Sequence, residues 1–250
     1  MFITYQATLL EKKQISEHVH YLKFSPPPQS DWDFKAGQYM IFHIPQGESP
    51  AARRQYSIAS HPSQKDALEF IIEYVENGVA SQYLAKMETG QQLTMQGPAG
   101  VFVYREHERE PIFLATGTGI APIVSMIADL LENGQYRQNI YLFWGLKLKG
   151  DMYYFEELKQ IAKQYPNFHF KMCLSRESEL SALFNEEDVN YCRSGRIDKG
   201  FEEMITTNKQ HKNIFNYYIC GSKHVVEAMR EYLNTQQIPI EQIFFEKFTL

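Results

Sequence analysis

The rhythm of the apolar residues changes once along the 250-residue chain, and that change constrains the fold more than any other feature. Before about residue 100, short apolar runs over 19–24, 39–44 and 68–75 alternate with the turn residues Pro26-Pro27-Pro28, Gly47 and His61-Pro62. Short strands at this spacing predict an antiparallel sandwich or barrel. The opening MFITYQATLLEKK reads as its first strand, and 81–87 as its one short helix. After the charged stretch Arg105-Glu106-His107-Glu108-Arg109-Glu110 the pattern lengthens. Apolar strands over 112–115, 140–144, 168–174 and 216–220 alternate with helical segments over 120–132, 154–164, 201–207 and 223–235. This alternation predicts a doubly wound parallel sheet. The reading is therefore two domains, 1–104 and 105–250, with the charged stretch as junction or, equally, as an exposed loop.

Composition narrows the function classes. With 25 basic and 30 acidic residues the net charge is −5, which gives no support for nucleic-acid binding. Three dispersed cysteines, Cys173, Cys192 and Cys220, form no CxxC pair, which argues against a disulfide scaffold, a zinc site or a cysteine-ligated cluster. No metal is expected. Residues 111–128 carry no charge, but Gly117-Thr118-Gly119 and Pro122 divide them into strand, turn and helix rather than a membrane span. The N-terminus has no signal-peptide pattern, and the expectation is a soluble, cytoplasmic protein.

Three segments carry candidate chemistry. In Ile112-Phe113-Leu114-Ala115-Thr116-Gly117-Thr118-Gly119-Ile120-Ala121-Pro122 a strand runs into a glycine turn and a helix start. Glycine permits close approach of a ligand, and a helix N-terminus offers free N–H groups to phosphate. A tight connection with no ligand would look the same, and the segment is not a GxGxxG fingerprint. In Arg53-Arg54-Gln55-Tyr56-Ser57-Ile58-Ala59-Ser60, alternation puts Arg54, Tyr56 and Ile58 on one face. These types suit a phosphate clamp and a ring stack, although each alone fits ordinary surface or core. Asn77-Gly78-Val79-Ala80-Ser81 enters the short helix and is either a second anion site or an empty cap. Gly97-Pro98-Ala99-Gly100 reads as a turn.

Taken together, RQYSIAS, NGVASQYL, GPAG, ATGTGIAP, CLSRE, GRI, YYICGSKHVVEAM and the terminal FFEKF resemble, in order and across nearly the whole chain, the ferredoxin–NADP⁺ reductase superfamily. The resemblance implies an N-terminal FAD-binding antiparallel β-barrel and a C-terminal NAD(P)-binding α/β domain. It implies that Arg54 holds the FAD pyrophosphate, that Tyr56 packs on the isoalloxazine, and that Ser57 hydrogen-bonds near flavin N5. Gly78, Val79, Ala80 and Ser81 would bind the same pyrophosphate, and Gly117, Thr118 and Gly119 the phosphates of the nicotinamide dinucleotide. Cys220 and Gly221 would stand beside the nicotinamide, with Met229 as helix packing. Glu246 and Phe248 would serve as positioning carboxylate and flavin lid. The chain departs from the plant-type ending, because Phe248 replaces tyrosine and Thr249-Leu250 follow it. Ser57, Cys220, Glu246 and Phe248 are the implied catalytic set.

Ser175, Arg176 and Arg196 match the positions that related reductases use around a 2′-phosphate, which favours NADPH; Glu177 blurs this and leaves NADH open. The implied activity is hydride transfer between NADPH and FAD, with single-electron exchange to a ferredoxin- or flavodoxin-type carrier. A basic patch for such a carrier would come from residues like Lys35, Arg53 and Lys86. The competing readings are the reductase component of an oxygenase, a free-flavin reductase, and a non-catalytic flavin-carrying or redox-sensing subunit.

Overall fold

The computed structural model describes residues 2–29, 31–105, 108–132, 136–208 and 212–248. Glu106 and His107 of the charged stretch, and the terminal Thr249-Leu250, lie outside the described residues. The chain forms two compact units, Met1–Tyr104 with Ala121–Glu132, and Arg105–Ile120 with Asn133–Leu250.

The first unit contains β1 (Ile3–Gln14), β2 (Val19–Phe24), β3 (Tyr39–Gln46), β4 (Ser49–Ser57), β5 (Leu68–Glu73), α1 (Val79–Lys86) and β6 (Gln92–Ala99). The strands form one antiparallel sheet in the order β4-β3-β6-β1-β2-β5. An antiparallel bridge between Ile58 and Phe70 joins the two edges, so the sheet closes as a barrel. Alternation supplies the filling: Ile3, Tyr5, Ala7 and Leu9 of β1 are buried and the residues between them are not. Phe24, Phe42 and Phe70 meet edge to face at the centre, with centroids 4.9–6.1 Å apart. Each of these fully buried rings contributes roughly 1.5–3 kcal/mol through burial.

One sequence reading fails in this unit. Gly97-Pro98-Ala99 is not a turn but the last part of β6, which pairs with β3 across a register shift between Tyr39 and Ile41. Tyr39 pairs with Ala99 and Ile41 with Gln96, so β6 carries one extra residue there, a bulge. Gly97 sits in it at φ 151°, with Met40 Sδ only 2.7 Å from where a Cβ would stand. A Gly-Pro pair in sequence does not distinguish such a bulge from a turn.

The second unit contains β7 (Glu110–Thr116), β8 (Ile140–Leu146), α3 (Phe155–Gln164), β9 (Phe168–Leu174), α4 (Leu180–Leu183), β10 (Cys192–Ser194), α5 (Ile197–Asn208), β11 (Phe215–Ser222), α6 (Lys223–Thr235) and β12 (Ile243–Phe248). Its sheet is parallel throughout, in the order β10-β9-β8-β7-β11-β12. β7 and β11 are buried on both faces, which explains their largely apolar sequence, interrupted in β11 by the buried Asn216. The winding goes outward from β7 through β8 to β10 on one side and through β11 to β12 on the other. The strand order therefore reverses between β7 and β11, where open α/β sheets place their ligand crevice.

Between β7 and β8 in the chain lies α2 (Ile120–Glu132), and from Ala121 onward it groups with the barrel. The charge-free residues 111–128 thus become a strand, a turn and most of a helix. No helix among the described residues is long and apolar enough to cross a membrane.

Candidate functional site

In the barrel, β4 presents the Arg54-Gln55-Tyr56-Ser57 segment against β3, with Arg54 opposite Phe42, Tyr56 opposite Met40 and Ser57 opposite Tyr39. Tyr56 is half-buried and packs edge-on to Phe42 at 4.7 Å; Ile58 continues its inward face into the core. Burial pushes the Tyr56 hydroxyl up to about 12, with Arg54 pulling the other way, so Tyr56 is a neutral ring at any ordinary pH. Ser57, on the opposite face, is buried. The exposed Arg54 guanidinium donates to the Arg53 carbonyl at 3.0 Å. Among the described residues it has no ion pair, so most of its five donors are available to an anion.

Gly78 stands at the N-terminus of α1, reached through Asn77 in the left-handed region at φ 60°. No side chain caps this helix. Ser81, the residue sequence suggests as helper, has its oxygen engaged: the Val75 N–H donates to Ser81 Oγ at 2.8 Å. The hydroxyl proton keeps its capacity to donate. An uncapped helix start with a serine hydroxyl, an unpaired arginine and a neutral aromatic ring fit a ligand combining a pyrophosphate with a planar ring system.

Sequence reasoning passed over Tyr74 in this unit. Its ring stacks on His20 at 3.8 Å and 11°, and its hydroxyl is buried without a hydrogen-bond partner among the described residues. Desolvation, then the neighbouring Tyr56, raise its pKa. An aromatic at a strand end reads as core filling, so the sequence carries no signal for it.

In the second unit, Gly117, Thr118 and Gly119 form a single 3-10 turn between β7 and α2, with Gly117 at φ 51°. The Trp144 indole N–H donates to the Gly117 carbonyl at 3.0 Å and fixes the turn from β8, a contact with no local sequence signature. Cys220 and Gly221 end β11 directly beside it. A Cβ on Gly119 would lie 2.4 Å from the Cys220 carbonyl oxygen, and one on Gly221 would lie 2.1 Å from Thr116 Oγ1. These two glycines are therefore required by the packing of the strand ends themselves. The connection is tight, and it lies at the sheet's reversal point.

Cys220 is buried, and its thiol is raised well above the ordinary value by desolvation, then by Glu246. Glu246 is its cross-strand neighbour on β12, and the half-buried Phe248 pairs with Ser222. The structure thus brings Cys220, Gly221, Glu246 and Phe248 to one end of two adjacent strands. Ser222 opens α6 without a side-chain cap.

At the end of β9, Ser175 and Arg176 are exposed, and their backbone N–H groups donate to Leu146 and Lys147 carbonyls at 3.0 and 2.9 Å. The Gly195 N–H donates to the Leu174 carbonyl at 3.0 Å, which brings the Gly195-Arg196 turn beside them. Arg196 is 72 % exposed and 3.6 Å from Asp198. The Arg176 side chain has no partner among the described residues. Glu177 accepts the Lys149 N–H at 3.0 Å through Oε1 and retains further acceptor capacity. Among the described residues no cluster of His, Cys, Asp and Glu has metal-site geometry.

The family model for an oxidoreductase FAD-binding domain matches residues 6–104, and that for an oxidoreductase NAD-binding domain matches residues 113–231. Over 244 residues the chain is 30% identical to the anthranilate 1,2-dioxygenase electron transfer component of Acinetobacter baylyi, covering 97% of this chain and 63% of that protein. The chain thus spans less than two thirds of that relative's length. Among solved structures, the Amycolatopsis cytochrome P450 reductase GcoB aligns with a TM-score of 0.85 at 25% identity, over 100% of this chain and 71% of that one. A ferredoxin NADP⁺ reductase from Neisseria gonorrhoeae with bound FAD and NADP shares the fold, with a TM-score of 0.81 at 20% identity over 98% of each chain. The chain belongs to the family of oxidoreductases built of an FAD-binding domain and an NAD-binding domain, and it shares the fold of ferredoxin–NADP⁺ reductase.

Proposed function

We propose that this protein oxidises NADPH through FAD and hands electrons to a separate redox partner, as the reductase of an oxygenase system or of a ferredoxin- or flavodoxin-type carrier. When bound, the nicotinamide supplies a hydride, and the flavin accepts it and releases electrons one at a time. The chain's own residues bind, orient and tune. Arg54, the start of α1 from Gly78 through Val79 and Ala80 to Ser81, and the ring of Tyr56 hold the flavin cofactor. The turn Gly117-Thr118-Gly119 and the strand end Cys220-Gly221 hold the dinucleotide. Ser57 on the flavin side, and Cys220 with Glu246 on the nicotinamide side, hold or orient protons and the reacting ring, and Phe248 is the aromatic lid.

The single observation that carries the reading is the Arg54 guanidinium, exposed and without an ion pair among the described residues, in a domain that matches an oxidoreductase FAD-binding family model. NADPH over NADH is favoured by Arg176, whose side chain has no partner among the described residues, and by Arg196 brought beside it. The three cysteines are dispersed and buried and do not form a cluster-ligand pattern, so a cluster acceptor would lie outside these 250 residues. The oxygenase reading draws on the relative from Acinetobacter baylyi, an electron transfer component of a dioxygenase. The free-flavin and non-catalytic readings have no comparable support.

The test is an electron-delivery assay with NADPH, using plant-type ferredoxin or flavodoxin coupled to cytochrome c. Reduction that depends on both NADPH and the carrier is expected. Reduction of added free flavin in preference to either carrier would select the flavin-reductase alternative.

A further inference from the structure

Helix α2 is apolar on every packed side, with Ile120, Ile123, Met126, Ile127 and Leu130 buried. One polar side chain in this buried set stands out. Ser125 is 0% exposed, and a buried hydroxyl is costly unless it is bonded. A serine within a helix commonly donates back to the carbonyl four residues earlier. Ser125 instead donates to the Ser60 carbonyl, 65 residues away in sequence, at 2.7 Å.

Ser60 is itself 2% exposed and ends the RQYSIAS segment that carries Arg54, Tyr56 and Ser57. It is firmly seated, since the Glu69 N–H donates to Ser60 Oγ and the Ala59 N–H donates to the Glu69 carbonyl. The next residue adds a second fastening to the same helix. His61, with a side chain 11% exposed and Nδ1 accepting the Ser63 N–H at 3.1 Å, lies between two carboxylates of that helix at charge-pair rather than hydrogen-bond range, Nε2 3.6 Å from Asp129 Oδ1 and Nδ1 3.4 Å from Glu132 Oε2. A third fastening is a slot: at Gly37, φ 98°, a Cβ would stand 2.3 Å from Met126 Cε. Three independent contacts thus pin one helix to the barrel. That helix continues without a break from the Gly117-Thr118-Gly119 turn.

We propose that Ser125 and His61 are positioning residues for the electron-transfer reaction. By fixing α2 on the segment that follows Ser57, they set how fast bound NADPH reduces the flavin, without touching either cofactor. The inference rests on the functional reading above. Misplacement by about 1 Å is enough to slow a reaction by orders of magnitude when orientation is the main contribution. Loosening one of three fastenings is expected to have a smaller effect.

The experiment uses the full chain loaded with FAD, as wild type, Ser125→Ala and His61→Ala, mixed anaerobically with rising NADPH while flavin absorbance is followed. Each variant is expected to keep its flavin and to be bleached by dithionite at the wild-type rate. At saturating NADPH its limiting rate falls about tenfold, while the half-saturating concentration moves by less than about threefold. A limiting rate equal to wild type in both variants overturns the proposal. So does a loss confined to the half-saturating concentration. If Ser125→Ala loses its flavin on purification, His61→Ala decides by the same two criteria. A flavin-loaded wild-type protein that NADPH fails to bleach contradicts the functional reading itself and removes this proposal with it.

Discussion

Gly119 lies directly against the backbone of Cys220, so closely that a Cβ at position 119 would stand 2.4 Å from the Cys220 carbonyl oxygen. The end of β7 and the end of β11 are thereby locked together at the point where the strand order of the sheet reverses. Gly119→Ala forces backbone against backbone, with no flexible side chain to yield. It is expected to destabilise the second unit by about 1–3 kcal/mol. It should also weaken NADPH binding while leaving FAD retention intact, because the barrel does not include position 119. Thermal melting with flavin absorbance and intrinsic fluorescence as separate probes checks this. An unchanged melt together with unchanged NADPH affinity would show that the strand ends tolerate separation.

Arg54 gives the complementary case, a residue that the fold does not need. Among the described residues, its guanidinium donates to the adjacent Arg53 carbonyl and forms no ion pair. Arg54→Ala should therefore leave the stability of the flavin-free protein within about 0.5 kcal/mol, as for an ordinary surface substitution. FAD affinity should fall by roughly ten- to a hundredfold, the loss of a charge-assisted contact worth about 1.5–3 kcal/mol. Fluorescence titration of the apoprotein with FAD measures it, and riboflavin, which has no pyrophosphate, should show no such difference.

What sequence could reveal follows from how each element is stabilised. The helix over 120–132 and the strand over 168–174 have the bounds expected, because each combines strong periodicity with clear end signals. By contrast, α5 begins at Ile197, four residues before the expected 201. Gly200 disguised its first turn: glycine is a poor helix former, yet a Cβ there would meet the Phe143 ring at 2.9 Å and Cys173 Sγ at 3.0 Å. β10 has three residues and exists through its pairing with β9, so it has no periodicity to detect. The candidate site residues stand out in the sequence where a motif surrounds them, as at Arg54 and Gly117. Trp144 and Ser125 do not, because each acts on a carbonyl from a distant segment, and no spacing rule encodes that.

Burial makes the thiols a pH probe. Desolvation pushes Cys173 and Cys192 up to about 12 and raises Cys220 well above its ordinary value. A raised pKa means that the fold favours the protonated thiol. The associated stability is complete below the unfolded value of about 8.5 and is lost as pH rises from there towards 12. At pH 8 the native protein should react with no more than a trace of Ellman's reagent, and the urea-unfolded protein should titrate all 3 cysteines. Rapid labelling of a native thiol would contradict the burial of these side chains.

Arg176 governs the choice between nicotinamides in this account. Its exposed side chain has no carboxylate partner among the described residues, while Glu177 is held by the Lys149 N–H. Arg176→Ala should raise the half-saturating concentration of NADPH about tenfold and leave that of NADH nearly unchanged, since only NADPH carries the extra phosphate. Steady-state kinetics with a dye acceptor provide the comparison. A preference for NADH that survives the substitution would remove the assignment.

The most direct measurement of the whole account is the visible spectrum of the purified chain before and after anaerobic addition of NADPH. A flavin spectrum with one FAD per chain, bleached by a stoichiometric amount of NADPH, is the predicted result. A protein that stays colourless in the presence of added FAD, or one whose bound flavin keeps its absorbance under excess NADPH, would contradict it.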